Sequence, residues 1–247
     1  MRLIKGIKDV IGFFTIIPIK NGDFEGAADH AYWLPVLGAL IAVICSLFAV
    51  LSFYIFPPLV TGILVFLVAL IITGFNNIDG LADVADGMMV HGDAARKRSA
   101  MKDTRLGISG LVSCIFLIGL AVAAFSELTI LGPWILIKAI FLSEVGSKYA
   151  MLLISFLGKP QYEGLGSVFL ESVGNFQIAA GSILTILLVL LVSFAGQIAF
   201  AVLLVIPVVF IMTLIARRSF GGVSGDVIGA CGETSRVAIL LGLLAIC

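Results

Sequence analysis

Seven apolar runs follow one another along this chain, at about 33–56, 59–75, 108–128, 131–157, 176–195, 197–217 and 226–246. About twenty apolar residues in a helix cross the hydrocarbon of a bilayer. Runs of this length predict an all-α fold: a polytopic transmembrane helical bundle of about seven spans, with residues 1–247 forming one integral membrane domain. With 61% hydrophobic and 12% charged residues, the composition lies far from the soluble average, in which about a quarter of residues are charged. The second run is short. The fourth is long and contains Lys138, Glu144, Gly146 and Lys148, which predicts a tilted, kinked or broken segment.

Residues 1–20 read as an amphipathic interfacial helix: Leu3, Ile4, Ile7, Val10, Ile11 and Phe14 recur at helical spacing until Pro18 stops it. Arg2, Lys5, Lys8, Asp9 and Lys20 are interspersed among them and no small-residue cleavage site follows, so a signal peptide is not expected. Twelve of the fifteen Lys and Arg fall before the first run, between the second and third, after the fourth or after the sixth. The connections near Pro57-Pro58, Leu128-Thr129 and Gly196 hold none. By the positive-inside rule the N-terminus is expected in the cytoplasm, with the chain in the plasma membrane. Three inner connections, 76–107, 158–175 and 218–225, then carry nearly all the polar residues, and chemistry is expected at the cytoplasmic face.

Fifteen basic residues balance fifteen acidic ones, so no global field draws nucleic acid and only local clusters matter. Cys45, Cys114, Cys231 and Cys247 stand singly in apolar surroundings and read as packing residues. His30 and His91 lack a second His or Cys at ligand spacing, which argues against zinc.

The densest local cluster is Asn76-Asn77-Ile78-Asp79-Gly80-Leu81-Ala82-Asp83-Val84-Ala85-Asp86-Gly87. In a helix Asp79, Asp83 and Asp86 stand at i, i+4 and i+7 on one face. Like charges so arranged repel, and a divalent cation carrying a phosphate-bearing substrate would relieve them. Arg96-Lys97-Arg98 and Lys102-Asp103-Thr104-Arg105-Leu106-Gly107 follow. Carboxylates for metal followed by cations for phosphate oxygens suit phosphoryl or nucleotidyl transfer, which depends on positioning and charge neutralisation. The basic triplet reads equally as a topology signal.

The last segment opens Gly221-Gly222-Val223-Ser224-Gly225-Asp226 and continues to Glu233. Asp226 and Glu233 share a helix face, and Gly225, Gly229 and Gly232 clear room for a helix or ligand. Glu233 also stands where it can neutralise Arg236. Between the fourth and fifth runs lies Tyr162-Glu163-Gly164-Leu165-Gly166-Ser167, glycines bracketing an acid. Glu144 and Lys148, at i and i+4, are a candidate buried pair.

These residues resemble cobalamin synthase, the adenosylcobinamide-GDP ribazoletransferase family, in its archaeal form. The matching pieces are Phe14-Thr15 with Pro18, Asp79-Gly80-Leu81-Ala82-Asp83 with Asp86-Gly87, Asp103 with Arg105-Leu106-Gly107, Glu163-Gly164-Leu165-Gly166, and Gly221-Gly222 with Gly225-Asp226, in order and end to end. Two positions depart: Asn77 stands where many members have His, and Ile16 where Arg is common. If that His moves a proton elsewhere, an aspartate or water must do so here.

The resemblance implies that adenosylcobinamide-GDP is joined to α-ribazole or its 5'-phosphate with release of GMP, using Mg²⁺. It implies that Asp79, Asp83 and Asp86, with Asp226 and Glu233, hold the metal. Lys102 and Arg105 would neutralise diphosphate oxygens, and Asp103 or a metal-poised Asp83 would take the hydroxyl proton. Asn77, Gly107, Glu163, Gly164, Gly166, Gly222 and Gly225 would line the binding site. The partners implied are those substrates and the lipid bilayer, with a homo-oligomer left open. Rival readings are another Mg-dependent intramembrane transferase, of the CDP-alcohol phosphotransferase or prenyltransferase kind, and a transporter. Acids crowded at one side, with a bare outer face, argue against a continuous polar path.

Overall fold

The computed structural model describes residues 2–19, 22–161, 164–194 and 196–247. In chain order the helices are α1 (Arg2–Phe14), α2 (Phe24–Asp29), α3 (Leu34–Ile55), α4 (Pro58–Ile72), α5 (Asn76–Met89), α6 (Ala94–Met101), α7 (Ile108–Ile130), α8 (Pro133–Leu157), α9 (Leu165–Ser172), α10 (Asn175–Ser193), α11 (Val205–Ile215) and α12 (Gly225–Ile246). A 3-10 segment, Gln197–Leu204, leads into α11, and a π-helical turn, Ala216–Phe220, ends it. No strand occurs among the described residues beyond an isolated parallel bridge between Pro160 and Val223.

Among the described residues six helices are long and apolar enough to cross a membrane: Ala31–Ile55, α7, α8, α10, Gln197–Phe220 and α12. The bent pair of α4 and α5 makes a seventh candidate, broken by a turn of 91°. The break has a local cause. Gly74 and Phe75 both adopt left-handed backbone, with φ of 64° and 60°, which ends an α-helix because the conformation is incompatible with its continuation. The Phe75 N–H still reaches back to the Leu70 carbonyl at 3.0 Å, and the Ile16 N–H donates to the Ile72 carbonyl at 2.8 Å, stapling the exit of α1 to the corner.

α8 and α12 form the enclosed centre, with 72% of each spanning window buried, whereas α7 and α10, at 22%, turn broad faces outward. Leu47 and Leu51 on α3, Phe116 on α7, Leu191 on α10 and Phe210 on α11 are all exposed. A belt of that kind suits lipid rather than water. On α1, Val10 is buried while Ile4 and Phe13 are exposed. Asp9, also buried, accepts the Asp23 N–H at 3.2 Å and anchors α1 to the start of α2.

The fourth segment is not interrupted: α8 runs unbroken for 25 residues. Its charged residues find partners within the bundle instead of breaking the helix. Arg236 of α12 is fully buried, with Nε 2.9 Å from Glu144 Oε1 and Nη2 donating to Glu144 Oε2 at 3.1 Å. Its Nη1 donates to Glu233 Oε2, and its guanidinium lies 5.7 Å from the centre of the Phe66 ring. Glu144 therefore pairs across to α12 rather than with Lys148, whose Nζ lies 3.8 Å from Met151 Sδ. Glu233 is held inside the bundle by this guanidinium, which withdraws it from the set of candidate metal ligands.

Removing one partner of a buried ion pair strands the other charge and costs about 3–5 kcal/mol. Arg236→Met is accordingly expected to lower the melting temperature of the detergent-solubilised protein sharply. Adding Glu144→Gln and Glu233→Gln to it should recover part of that loss, as read by thermal unfolding.

Candidate active site

The acidic face is built by one close helix crossing. A Cβ placed on Gly80 would lie 2.7 Å from the Asp226 carbonyl oxygen and 2.8 Å from its Cα, and one on Gly229 would lie 3.0 Å from the Asn77 Cα. α5 and α12 thus touch backbone to backbone, a separation that only residues without side chains permit. The crossing sets Asp79 and Asp83, on either side of Gly80, beside Asp226 at the start of α12. Asp79 is exposed, and Asp83 and Asp226 are half-buried. The charges of Asp226, Asp79 and Asp86, in falling order, bear on the Asp83 carboxylate.

Asp86 has a different position in this face. Its two oxygens accept the Gly107 and Gly110 N–H groups, each at 2.8 Å. Gly107 is the N-cap residue of α7 and brings no side-chain cap of its own. The carboxylate of α5 therefore caps α7, satisfying N–H groups that a helix start leaves open and complementing its dipole. Asp86 and Gly107, expected at a metal and a substrate, are bonded to each other.

Asp226 is framed by its own helix start. Ser224 Oγ donates to Asp226 Oδ2 at 3.4 Å and accepts the Val227 N–H at 3.4 Å. The charge of Lys102 also acts on Asp226, which brings one of the predicted cations to the acidic face. Asp103 and Arg105 instead bond to each other: Arg105 Nη2 to Asp103 Oδ2 at 3.0 Å and Nε to Oδ1 at 3.2 Å, with the Arg105 side chain 88% exposed. Hydrogen bonds from Arg105 hold the Asp103 carboxyl below the usual carboxylate range, which makes it a poor proton acceptor. The basic triplet is partly structural, since Arg98 Nη1 donates to the Phe220 carbonyl at 2.9 Å.

The glycine motifs converge on the same region. A Cβ on Gly222 would lie 2.7 Å from the Lys159 carbonyl oxygen, and the Gln161 N–H donates to the Val223 carbonyl at 3.1 Å, so the strips around 160 and 222 lie side by side. Gly164 caps α9, its N–H bonded to Ser167 Oγ at 3.0 Å. A Cβ on Gly166 would approach the Gly225 nitrogen to 3.1 Å. Glu163 lies outside the described residues.

A cavity of about 380 Å³ opens here. Asn76, Asn77, Asp79 and Asp226 line it together with Phe13, Phe14, Phe24 and Phe169, and with Gly166 and Gly225. The aromatic lining was not foreseen: Phe14 reads as part of the apolar face of the first helix, and Phe13, Phe24 and Phe169 carry no spacing signal in a chain where apolar residues are the background. Among the described residues no group of three or more His, Cys, Asp or Glu is close enough to hold a metal ion unaided. What the crossing supplies is Asp79 and Asp226 on the cavity lining, with Asp83 near enough to feel both charges.

Alanine normally stabilises a helix relative to glycine by about 1 kcal/mol, but at Gly80 the added methyl meets backbone that cannot yield. Gly80→Ala is therefore expected to lower the melting temperature, overpacking costing about 1–3 kcal/mol. A rise would show that the crossing is looser than described.

Residues 6–244 match the family model described as cobalamin-5-phosphate synthase. Relatives called adenosylcobinamide-GDP ribazoletransferase include one from Thermococcus gammatolerans, 36% identical over 240 residues and covering 97% of both chains. Another, from Pyrococcus furiosus, is 37% identical over 236 residues, covering 95% of this chain and 97% of its own. A third, from Methanocella arvoryzae, is 32% identical over 265 residues, covering 97% and 95%. No solved structure matches. A match spanning nearly every helix, with the acidic face and the glycine strips inside it, places this chain in the cobalamin-5-phosphate synthase family.

Proposed function

We propose that this chain joins adenosylcobinamide-GDP to α-ribazole or its 5'-phosphate at the α5–α12 crossing, releasing GMP; its relatives are named adenosylcobinamide-GDP ribazoletransferase. The observation that carries the reading is the meeting of Asp79 and Asp83 with Asp226 beside a cavity large enough for a nucleoside. In this reading the ribose hydroxyl oxygen attacks the phosphorus attached to the corrinoid side chain. The bond from that phosphorus to the bridging oxygen breaks, and GMP leaves with that oxygen.

Mg²⁺ is part of the proposal. The donor set fits it, because Mg²⁺ keeps several waters and binds through one or two carboxylates plus substrate phosphate rather than in an all-protein cage. One or two of Asp79, Asp83 and Asp226 would hold it, Asp86 being bonded to α7 and Glu233 to Arg236. When bound, the ion would neutralise the diphosphate oxygens. Lys102, acting on Asp226, adds positive charge on the same side. Arg105 can join it only by releasing Asp103. Of the two candidate bases, Asp83, half-buried among like charges, is better suited to accept the hydroxyl proton than Asp103 in its exposed ion pair. The distribution of basic residues supports placing this face toward the cytoplasm at the plasma membrane.

Purified protein given adenosylcobinamide-GDP, α-ribazole and Mg²⁺ is expected to yield GMP and a complete cobamide on chromatography, with EDTA stopping the reaction. No GMP under these conditions would refute the assignment. Asp83→Asn should still fractionate with membranes while losing about 10²- to 10⁴-fold in turnover, the range a general base contributes. Full activity in that variant would remove Asp83 from the chemistry.

A further inference from the structure

We propose that the aromatic side of the cavity seats the base of the nucleoside acceptor, with Phe14 as the ring on which that base stacks; this rests on the transferase reading above. The four phenyl rings form a continuous row contributed by three helices. Phe24 of α2 lies 4.7 Å from Phe13, Phe13 lies edge-on to Phe14 at 4.9 Å, and Phe14 lies edge-on to Phe169 of α9 at 5.5 Å, centre to centre. Phe169 is only 3% exposed, so it is a fixed backstop for the half-buried Phe14 ring. Thr15 fixes Phe14 from the chain side: its Oγ1 donates to the Ile11 carbonyl at 2.6 Å and accepts the Ile17 N–H at 3.2 Å, closing the last turn of α1. The Phe14-Thr15 pair thereby acquires a role that the acidic chemistry leaves it without.

Size and polarity choose the occupant. About 380 Å³ holds a nucleoside but not a corrin ring with its amide arms. Apart from the adenosyl group carried on the corrinoid, two nucleosides take part in the reaction. Guanine carries an amide and an amino group along its edge, and burying these against phenyl rings without partners is unfavourable. The benzimidazole of ribazole has one unsubstituted ring nitrogen and an apolar remainder, which is what a phenyl wall accommodates. With the base on that wall, Asp79 and Asp226 line the same cavity. The ribose then lies between them, where its hydroxyl must attack.

The test uses the full-length enzyme in detergent, with each substrate varied in turn and with binding of radiolabelled α-ribazole measured by equilibrium dialysis without the corrinoid. Phe14→Leu is expected to raise KM for ribazole roughly tenfold, since stacking on an aromatic ring is worth about that or more, while KM for adenosylcobinamide-GDP stays put. Phe14→Tyr, which keeps the ring, should restore ribazole affinity, and GMP should not displace the label. A rise in KM for the corrinoid substrate instead, or displacement by GMP, would assign the wall to guanine and overturn the proposal. So would unchanged ribazole affinity in both Phe14→Leu and Phe169→Leu. Ribazole bound by the wild type without any transfer would remove the enzyme reading and leave the base seat intact, so the two failures are separable.

Discussion

The backbone contact of α5 with α12 is the constraint on which the acidic face depends. Carboxylates on separate helices in an apolar bundle would normally be kept apart, since each is costly to bury and repels the next. At Gly80 and Gly229 no side chain stands between the two helices, so Asp79 and Asp83 arrive beside Asp226 as a consequence of packing. The 91° corner before α5 redirects that helix against the start of α12, where Gly80 meets Asp226 and Gly229 meets Asn77. The left-handed residues at 74 and 75 and the tether from Ile16 belong to the same device.

Charge inside this chain is handled in two contrasting ways. Arg236, Glu144 and Glu233 pair with one another in the enclosed centre and bind α8 to α12. The acids of α5 face one another with little positive charge from the protein, the influence of Lys102 on Asp226 excepted. A compensated cluster is a fastening. An uncompensated one, open to a cavity, is where a cation and its anionic substrate lower the energy, and the two are told apart by their partners rather than by residue type.

Much of this was legible in the chain itself. Apolar run lengths foretell the helical bundle, and the spacing of Asp79, Asp83 and Asp86 foretells a helix with acids on one side, which α5 is. The pairing of Glu233 with Arg236 is local, three residues apart, and stood among the readings. What stayed hidden depends on distant partners. Asp86 meets N–H groups 21 and 24 residues further on, and Glu144 meets an arginine 92 residues away. No periodicity records either contact. The fourth run was expected to be tilted, kinked or broken, because sequence shows the cost of burying Glu144 but not the guanidinium that offsets it. Phe24 and Phe169 escaped notice for the opposite reason, being ordinary apolar residues until the fold sets them in a row.

The shortness of α4 has a consequence for how a water-soluble diphosphate reaches a membrane-embedded site. Its 15 residues rise only about 22 Å at 1.5 Å each, against a hydrocarbon thickness of about 30 Å. Such hydrophobic mismatch is relieved by local thinning of the bilayer. Where the bilayer thins around so short a helix, less hydrocarbon separates water from the corner that carries Asp79, and polar reactants have a shorter way to the acids.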